Sequence, residues 1–210
     1  YYENIVVDKS VTITGENNET TIVNDPNENV AYVFRLVKSV VTIENLNIRE
    51  ASFCGIFLES NNNIIRDNIF IDDHMGIRLR DSNNNSINNN IFDYNENQKD
   101  SSYYCIELCS SDFNTISSNK ILNMEVGVDL ASSSSNEISN NIIKTWRCGI
   151  ELDSSSNEIS NNIIKNSRCG IKLDSIGSSA SIEGNVIKES ETAIYLRYSK
   201  NCLVIENKIT

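Results

Sequence analysis

The chain is poor in basic residues and has no long apolar run. Lys and Arg total 18 against 29 Asp and Glu, which gives a formal net charge of −11. Because phosphate groups are bound mainly through Lys and Arg, this balance argues against nucleic acid or an anionic membrane surface as a partner. No apolar stretch reaches the roughly 18 residues of a membrane span. We therefore expect no direct insertion into a membrane, while cations and neutral ligands stay open as partners.

The start of the chain lacks both an initiator Met and a charged-then-apolar leader. Its first residues, Tyr1 to Val7, already have the character of a β-strand. We expect a chain processed or excised from a longer precursor, with any signal peptide lost upstream. The abundant Asn, Ser and Thr suit an extracellular surface, so we predict an extracellular or cell-surface location.

A repeat of about 22 residues runs through the sequence, and such a period predicts a solenoid. Each unit has a small residue, then Ile and Leu two residues apart, then a polar run rich in Ser and Asn, and then Ile, two polar residues, Asn and Ile, as in 149–163. The steps between small residues are 21 to 23, apart from one of 29. The surplus falls at about 93–102, where we predict a polar loop. The small residues are Val33, Gly55, Gly76, Cys105, Gly127, Gly149, Gly170 and Ala193.

Alternation within each unit predicts strands, with Ile150 and Leu152 on one face and Glu151 and Asp153 on the other. One coil cannot bury its apolar face, whereas stacked coils enclose a continuous core. We predict an all-β fold, a right-handed single-stranded parallel β-helix of about 8–9 coils of 21–23 residues, forming a single domain over 1–210. The inward leucine column is Leu36, Leu58, Leu79, Leu108, Leu130, Leu152, Leu173 and Leu196.

Two columns of asparagine are predicted to hold the turns between strands. Asparagine tolerates left-handed backbone angles, and its amide can bond to the amide one rung away. The first column is Asn63, Asn85, Asn114, Asn136 and Asn157, and the second is Asn68, Asn90, Asn119, Asn141, Asn162, Asn185 and Asn207. We interpret both columns as structural.

The Ser-Ser-Asn-Glu-Ile-Ser-Asn-Asn-Ile unit at 155–163 resembles the parallel β-helix repeats of NosD-like proteins and of the wider carbohydrate-binding and sugar-hydrolase (CASH) group. The segment from Tyr2 to Glu16 is similar to that family's entry into the first coil. The resemblance implies the fold for nearly the whole chain, but it implies function less directly, because the matching residues determine structure. Members include copper-site accessory proteins, polysaccharide-active enzymes and archaeal cell-surface proteins.

The six cysteines separate into two groups by register. The first group lies two positions before the first inward Ile of a repeat unit and is predicted to pack in the core. Its members are Cys54, Cys148 and Cys169. The other three are predicted to lie outside the core and to be available for intermolecular disulfides in an oxidising compartment, namely Cys105, Cys109 and Cys202.

A metal site is not predicted from these residues. Cys105 and Cys109 are separated by roughly 13 Å of strand, too far for one ion. The single histidine, His74, is expected to be a solvated turn residue, and no Met-rich or His-rich tract supports a copper role.

The sharpest chemical feature is an outward acidic stripe, in which Glu107, Asp129 and Glu151 stack at about 4.8 Å. Asp129 with Glu151, or Glu151 with Asp153, could act as acid and base in glycoside hydrolysis, which uses separations of about 5 to 9.5 Å. The same oxygens could hold Ca²⁺, or the stripe could be a solvated surface balanced by nearby bases. The ligand-binding or cation-binding candidates are Glu107, Asp129, Glu151, Asp153, Asp174, Arg78, Arg80 and Lys172.

The main functional prediction is a structural protein of the cell envelope that self-assembles through uncapped ends or edges into a layer, sheath or filament. The alternative is a CASH-type module that binds carbohydrate or cleaves polysaccharide, as a glycoside hydrolase or polysaccharide lyase. No motif of polygalacturonases or pectate lyases supports an enzyme. Copper delivery is a third interpretation, and no cofactor is predicted apart from Ca²⁺ for the acidic stripe.

Overall fold

The computed structural model describes residues 1–25, 32–94, 104–175 and 179–210, and within them the regular structure is β-strand throughout. In these four segments, no helix has the length and apolar character needed to cross a membrane. In chain order the strands are β1 (Ile5–Val7), β2 (Thr12–Thr14), β3 (Ile22–Asn24), β4 (Tyr32–Leu36), β5 (Thr42–Glu44), β6 (Asn47–Arg49), β7 (Cys54–Leu58), β8 (Ile64–Arg66), β9 (Ile69–Ile71), β10 (Ile77–Arg80), β11 (Ser86–Asn88), β12 (Ile91–Asp93), β13 (Tyr104–Cys109), β14 (Thr115–Ser117), β15 (Lys120–Ala131), β16 (Glu137–Ser139), β17 (Ile142–Leu152), β18 (Asn157–Ser160), β19 (Ile163–Lys165), β20 (Cys169–Asp174), β21 (Ala180–Glu183), β22 (Val186–Lys188), β23 (Thr192–Arg197), β24 (Leu203–Ile205) and β25 (Lys208–Ile209).

These strands stack in parallel into a cylinder with three faces. Face 1 contains β1, β4, β7, β10, β13, the second halves of β15 and β17, β20 and β23. Face 2 contains β2, β5, β8, β11, β14, β16, β18, β21 and β24. Face 3 contains β3, β6, β9, β12, the first halves of β15 and β17, β19, β22 and β25. The predicted parallel β-helix is therefore confirmed.

The inward leucine column is confirmed by the register of face 1. Leu130 pairs with Leu108 on one side and with Leu152 on the other. The side chains from Leu36 to Leu173 in this column are at most 1% exposed. Leu196, on the last rung of face 1, is 41% exposed. Face 2 contributes isoleucines to the same core, and on face 3 the rings of Phe70 and Phe92 stack with centroids 4.6 Å apart.

Both asparagine columns form hydrogen-bonded ladders, as predicted. The side chain of Asn90 donates to the Oδ1 atom of Asn119 at 3.1 Å, and that same oxygen accepts the Asn90 backbone N–H at 3.0 Å. The left-handed backbone angles belong instead to the preceding residues, such as Asn89 (φ 54°) and Ser118 (φ 58°). The preceding residue makes the bend, and the buried ladder amide satisfies the polar groups that the bend would leave unpaired.

An irregularity at the corner between faces 3 and 1 moves one predicted column from the inside to the outside. A Cβ atom on Gly149 would lie 2.6 Å from Cγ2 of Ile164, so this position points into the core, as the next residue, Ile150, also does. Two consecutive inward positions interrupt the two-residue alternation and place Cys148 on the outer side. The predicted inward direction of Cys54, Cys148 and Cys169 is therefore wrong, although Cys54 and Cys148 are buried, as predicted. Cys148 and Cys169 border a surface groove, and Cys54 is buried outside the core cluster.

The same irregularity explains why Cys105 is not outside. It occupies the position that is glycine on most rungs, and it is fully buried within the core cluster. The prediction that it faces outward, where it could cross-link, is wrong. The predicted loop at 93–102 lies outside the described residues apart from Asp93, where β12 ends, and the buried Tyr94.

Candidate active site on face 1

The outward charges of face 1 form one continuous column across five rungs. The register pairs Arg78 with Glu107, Glu107 with Asp129, Asp129 with Glu151, and Glu151 with Lys172. The predicted stacking of the three carboxyl groups is thus confirmed. The column has a basic residue at each end and carboxyl groups on the three rungs between them.

Ion pairs hold the outer two carboxylates of this column. Oε2 of Glu107 lies 2.8 Å from Nε of Arg78. Oε1 of Glu151 lies 2.5 Å from Nζ of Lys172, and Oε2 of Glu151 lies 3.3 Å from Nη1 of Arg147. The repulsion expected between stacked carboxylates is therefore offset at Glu107 and Glu151 by the protein's own bases.

Asp129, in the middle of the column, has no basic side chain within ion-pair distance among the described residues. Partial burial, followed by the negative charges of Glu151, Glu107 and Asp153, raises the pKa of Asp129 to about 7. Both causes act in the same direction, because removal from water and nearby anions each disfavour the charged form. Near neutral pH, Asp129 is therefore a carboxyl group poised to carry and release a proton.

Asp129 opens into a groove of about 280 Å³ on face 1. Asp153 borders the same groove and accepts the backbone N–H of Ser132 at 2.6 Å through Oδ1. A rung spacing of about 4.8 Å and a rise of about 3.3 Å per residue place the Cα atom of Asp153 roughly 8 Å from that of Asp129. The spacing between Asp129 and Glu151 is about 4.8 Å, one rung. The groove thus contains two carboxyl pairs with different separations.

The structure adds three residues that sequence reasoning did not place at this site. Arg147 borders the groove and pairs with both Glu151 and Glu125, whose Oε1 lies 2.6 Å from the guanidinium Nε. Tyr104 also borders the groove, although it lies two residues before an inward Ile, like the cysteines that were predicted to pack in the core. The small residue at the corner between faces 3 and 1 could have located them. When the small residue points into the core, the residue before it points outward.

The other predicted ligand residues are divided between this groove and its surroundings. Lys172 and Asp174 border the groove, and Asp174 pairs with Arg197 at 2.5 Å. Arg80 instead forms an ion pair with Glu59 on the neighbouring rung. These pairs reduce the net charge around the groove without engaging Asp129.

The remaining cysteines and the histidine lie away from this groove. Cys109 is partly buried, and its sulfur accepts a hydrogen bond from Arg78 at 3.8 Å. Cys202 is partly buried and packs against the core cluster without belonging to it, which agrees with its predicted place outside the core. His74 is partly buried, stacks on Phe53 at 6.1 Å between ring centroids, and has a pKa lowered by burial. Within the described segments, no three His, Cys, Asp or Glu side chains are grouped to hold one metal ion.

Comparison with known proteins gives a family match and several similar folds. The chain matches the family described as "Right handed beta helix region" over residues 37–187 and 143–210. No curated protein sequence matches it significantly.

Three solved structures illustrate the likeness in fold. DFA-IIIase from Arthrobacter chlorophenolicus A6, without its lid, is 10% identical with a TM-score of 0.56, over 100% of this chain and 85% of that chain. The catalytic domain of a GH87 alpha-1,3-glucanase in complex with nigerose is 13% identical with a TM-score of 0.50, over 98% and 62%. The A-module of mannuronan C-5 epimerase AlgE6 from Azotobacter vinelandii is 15% identical with a TM-score of 0.49, over 95% and 83%. At these identities the likeness shows the fold alone.

Proposed function

The chain belongs to the right-handed β-helix family, and from the geometry of face 1 we propose that it binds a carbohydrate chain and hydrolyses a glycosidic bond with Asp129 as general acid. The observation that carries this proposal is the raised pKa of Asp129, about 7, between two ion-paired carboxylates and in an open groove. Glycoside hydrolysis needs one carboxyl group that stays protonated near neutral pH and a second that does not.

In the proposed reaction, Asp129 donates its proton to the glycosidic oxygen as the bond to the sugar carbon breaks. Asp153 accepts a proton from a water molecule that attacks the same carbon from the opposite side. Their backbone separation of roughly 8 Å is compatible with the about 6.5–9.5 Å between carboxyl groups that leaves room for this water. The proposal therefore includes inversion of configuration at the anomeric carbon.

Glu151 is assigned a different role, that of a charged neighbour. Both of its oxygens are held by bases, one by Lys172 and the other by Arg147. A carboxylate held in this way is a poor nucleophile, but its negative charge is the second cause of the raised pKa of Asp129. Arg147 and Lys172 thus hold Glu151 in place beside the acid.

The surroundings of the carboxyl groups suit a sugar ligand. Tyr104 lies beside Asp129 in the groove, and the partly exposed Tyr195 borders the adjoining groove. Tyrosine presents an apolar ring with a polar tip, as a sugar ring also requires of its partner. The glucanase domain named above binds nigerose, so this architecture is compatible with carbohydrate binding.

The test uses the full chain on a panel of neutral and acidic polysaccharides. We expect release of reducing ends by the wild type and a loss of about 10²- to 10⁴-fold in kcat for Asp129→Asn, with binding on a glycan array retained. Asp153→Asn should also lose kcat, and NMR of the first product should show the inverted anomer. Asp8→Asn, an exposed aspartate outside the column, is the matched control and should keep wild-type activity. Wild-type cleavage that survives unchanged in Asp129→Asn would refute the assignment.

Three finer assignments are also proposals. The repeat supports a NosD-like or CASH-type subgroup, and a polysaccharide substrate would fit an extracellular location. Ca²⁺ binding at the acidic column would compete with the bases that now hold Glu107 and Glu151.

Self-assembly, the main prediction from the sequence, remains a second candidate. The last rung exposes apolar side chains, including Leu196 and Leu203, that a second copy would cover. A further rung of a longer chain would cover them equally well, so the carbohydrate proposal is preferred. Electron microscopy with and without reductant tests self-assembly: regular filaments or layers would support it, and isolated particles at high concentration would not.

A further inference from the structure

A second cluster of reactive groups lies next to the carboxyl column, on the same face. Cys148 on β17 and Cys169 on β20 are partners in the register of adjacent parallel strands. The spacing of such strands, about 4.8 Å, falls within the range of about 4.4–6.8 Å between the Cα atoms of disulfide-bonded cysteines. Both thiols lie at the same position of their strands, and each donates a hydrogen bond to the carbonyl oxygen of the isoleucine two residues on, Ile150 for Cys148 and Ile171 for Cys169.

The two thiols differ in their access to solvent. Both border a groove of about 450 Å³ whose lining includes the basic residues Arg147, Arg168 and Lys172. Cys169 is partly exposed, whereas Cys148 is only 1% exposed. A dissolved reagent that enters the groove therefore meets Cys169 first, with Cys148 directly behind it.

The local charges favour the same order of reaction. The neighbouring Cys148 thiol and the positive charge of Lys172 lower the pKa of Cys169. The neighbouring Cys169 sulfur and burial raise the pKa of Cys148. The thiolate is the nucleophilic form of cysteine, so the more exposed thiol is also the more reactive one.

We propose that Cys148 and Cys169 form a dithiol–disulfide redox site that reacts with small anionic disulfides, of which oxidised glutathione is the example. The Cys169 thiolate attacks one sulfur of the oxidant, forms a mixed disulfide and expels one glutathione thiolate. Cys148 then releases its proton to solvent and attacks the Cys169 sulfur, which expels the second glutathione thiolate. The two cysteines lose two electrons, and the glutathione disulfide gains them. The groove lining carries four basic and two acidic side chains, and this excess of positive charge attracts the carboxylates of the oxidant.

Three of the other cysteines lack this combination of access and a cysteine partner in the register. Cys54 and Cys105 are fully buried, and burial raises the pKa of each. Cys109 is partly exposed, as Cys169 is, but its partners in the register are Arg80 and Ala131 rather than a cysteine. We therefore expect the reaction with glutathione disulfide to occur at Cys148 and Cys169 before the other cysteines of the chain.

The experiment treats the reduced full chain with oxidised glutathione and follows intact mass and peptide maps. The wild type should lose two hydrogen atoms and give a peptide cross-linked between Cys148 and Cys169. Cys148→Ser should accumulate glutathione on Cys169, because the resolving thiol is absent. Cys169→Ser should form neither product, and Cys109→Ser, the matched control, should behave as the wild type.

Two further measurements keep the test decisive. Circular dichroism checks that each variant is folded, and Cys169→Ala replaces Cys169→Ser if the serine variant unfolds. A neutral disulfide should react more slowly than glutathione disulfide, and added salt should narrow that difference. Glutathione that appears on Cys109 or Cys202 before Cys169, or a folded Cys148→Ser that forms no adduct at Cys169, would overturn the proposal.

Discussion

Replacing Asp129 by asparagine removes a carboxyl group that is partly buried between Glu107 and Glu151. Asparagine has nearly the same shape and carries no charge, so the replacement isolates the cost of ionising this position. The pKa of Asp129 is about 7 in the folded chain, against an ordinary value of 3.8. At about 1.4 kcal/mol for each pH unit, the difference corresponds to about 4 kcal/mol.

The sign of the effect follows from which state holds the proton. Between about pH 4 and pH 7 the folded chain keeps the Asp129 proton, whereas the unfolded chain has lost it. The free energy of unfolding therefore falls as the pH rises through this window, and the full penalty is present above it. Because the asparagine variant has no such proton, its free energy of unfolding does not include this decrease. The variant should be more stable than the wild type above pH 7, by at most about 4 kcal/mol.

The assay is urea unfolding of the wild type and Asp129→Asn between about pH 4 and pH 8, with the difference between the two curves as the measured quantity. Taking the difference removes the other titrating groups, including the buried Asp73, whose pKa burial also raises. Asp8→Asn should follow the wild type at every pH. Stability curves for wild type and Asp129→Asn that run parallel across the whole range would refute the raised pKa, and with it the assignment of Asp129 as the acid.

Three further predictions concern the cylinder and are measured by the same unfolding assay. Leu130→Ala should cost about 3 kcal/mol, because it leaves a cavity in a fully buried column, whereas Leu196→Ala should cost less than about 1 kcal/mol at its exposed position. Asn119→Ala should cost about 3 kcal/mol, since it removes ladder hydrogen bonds on both sides, whereas Asn88→Ala, outside the ladders, should cost under about 1 kcal/mol. Gly149→Ala should cost about 2 kcal/mol, because its Cβ would lie 2.6 Å from a carbonyl oxygen of the next rung.

Each of these three predictions has an outcome that would contradict it. Equal losses at the two leucines would mean that the last rung is covered as fully as the middle of the column. Equal losses at the two asparagines would remove the special role of the ladder. A neutral Gly149→Ala would show that neighbouring rungs can separate at the corner, and it would undermine the reason given for the outward position of Cys148.

The carboxyl column was accessible to sequence reasoning because a two-residue alternation orients side chains wherever a strand stays regular. Glu151 follows Ile150 and precedes Leu152, and both apolar neighbours are buried, so its outward direction was predictable. The outward direction of the Cys148 side chain was not predictable in this way, because it depends on how the chain bends at the corner between faces 3 and 1. At that corner Gly149 has no side chain from which a direction could be predicted. Its orientation is decided by the close approach of the neighbouring rung, which is a tertiary contact.

The repeat alone determined the parallel β-helix, the leucine core and the asparagine ladders, because identical coils place identical side chains one above another. The partners of each charge were decided only by the tertiary structure. Arg147 comes from the corner before face 1 and reaches Glu151 and Glu125, while Asp129 has no such partner in the part of the chain described. Since a pKa depends on burial and on charges a few ångströms away, the chemical difference between Asp129 and its two neighbours exists only in the folded cylinder.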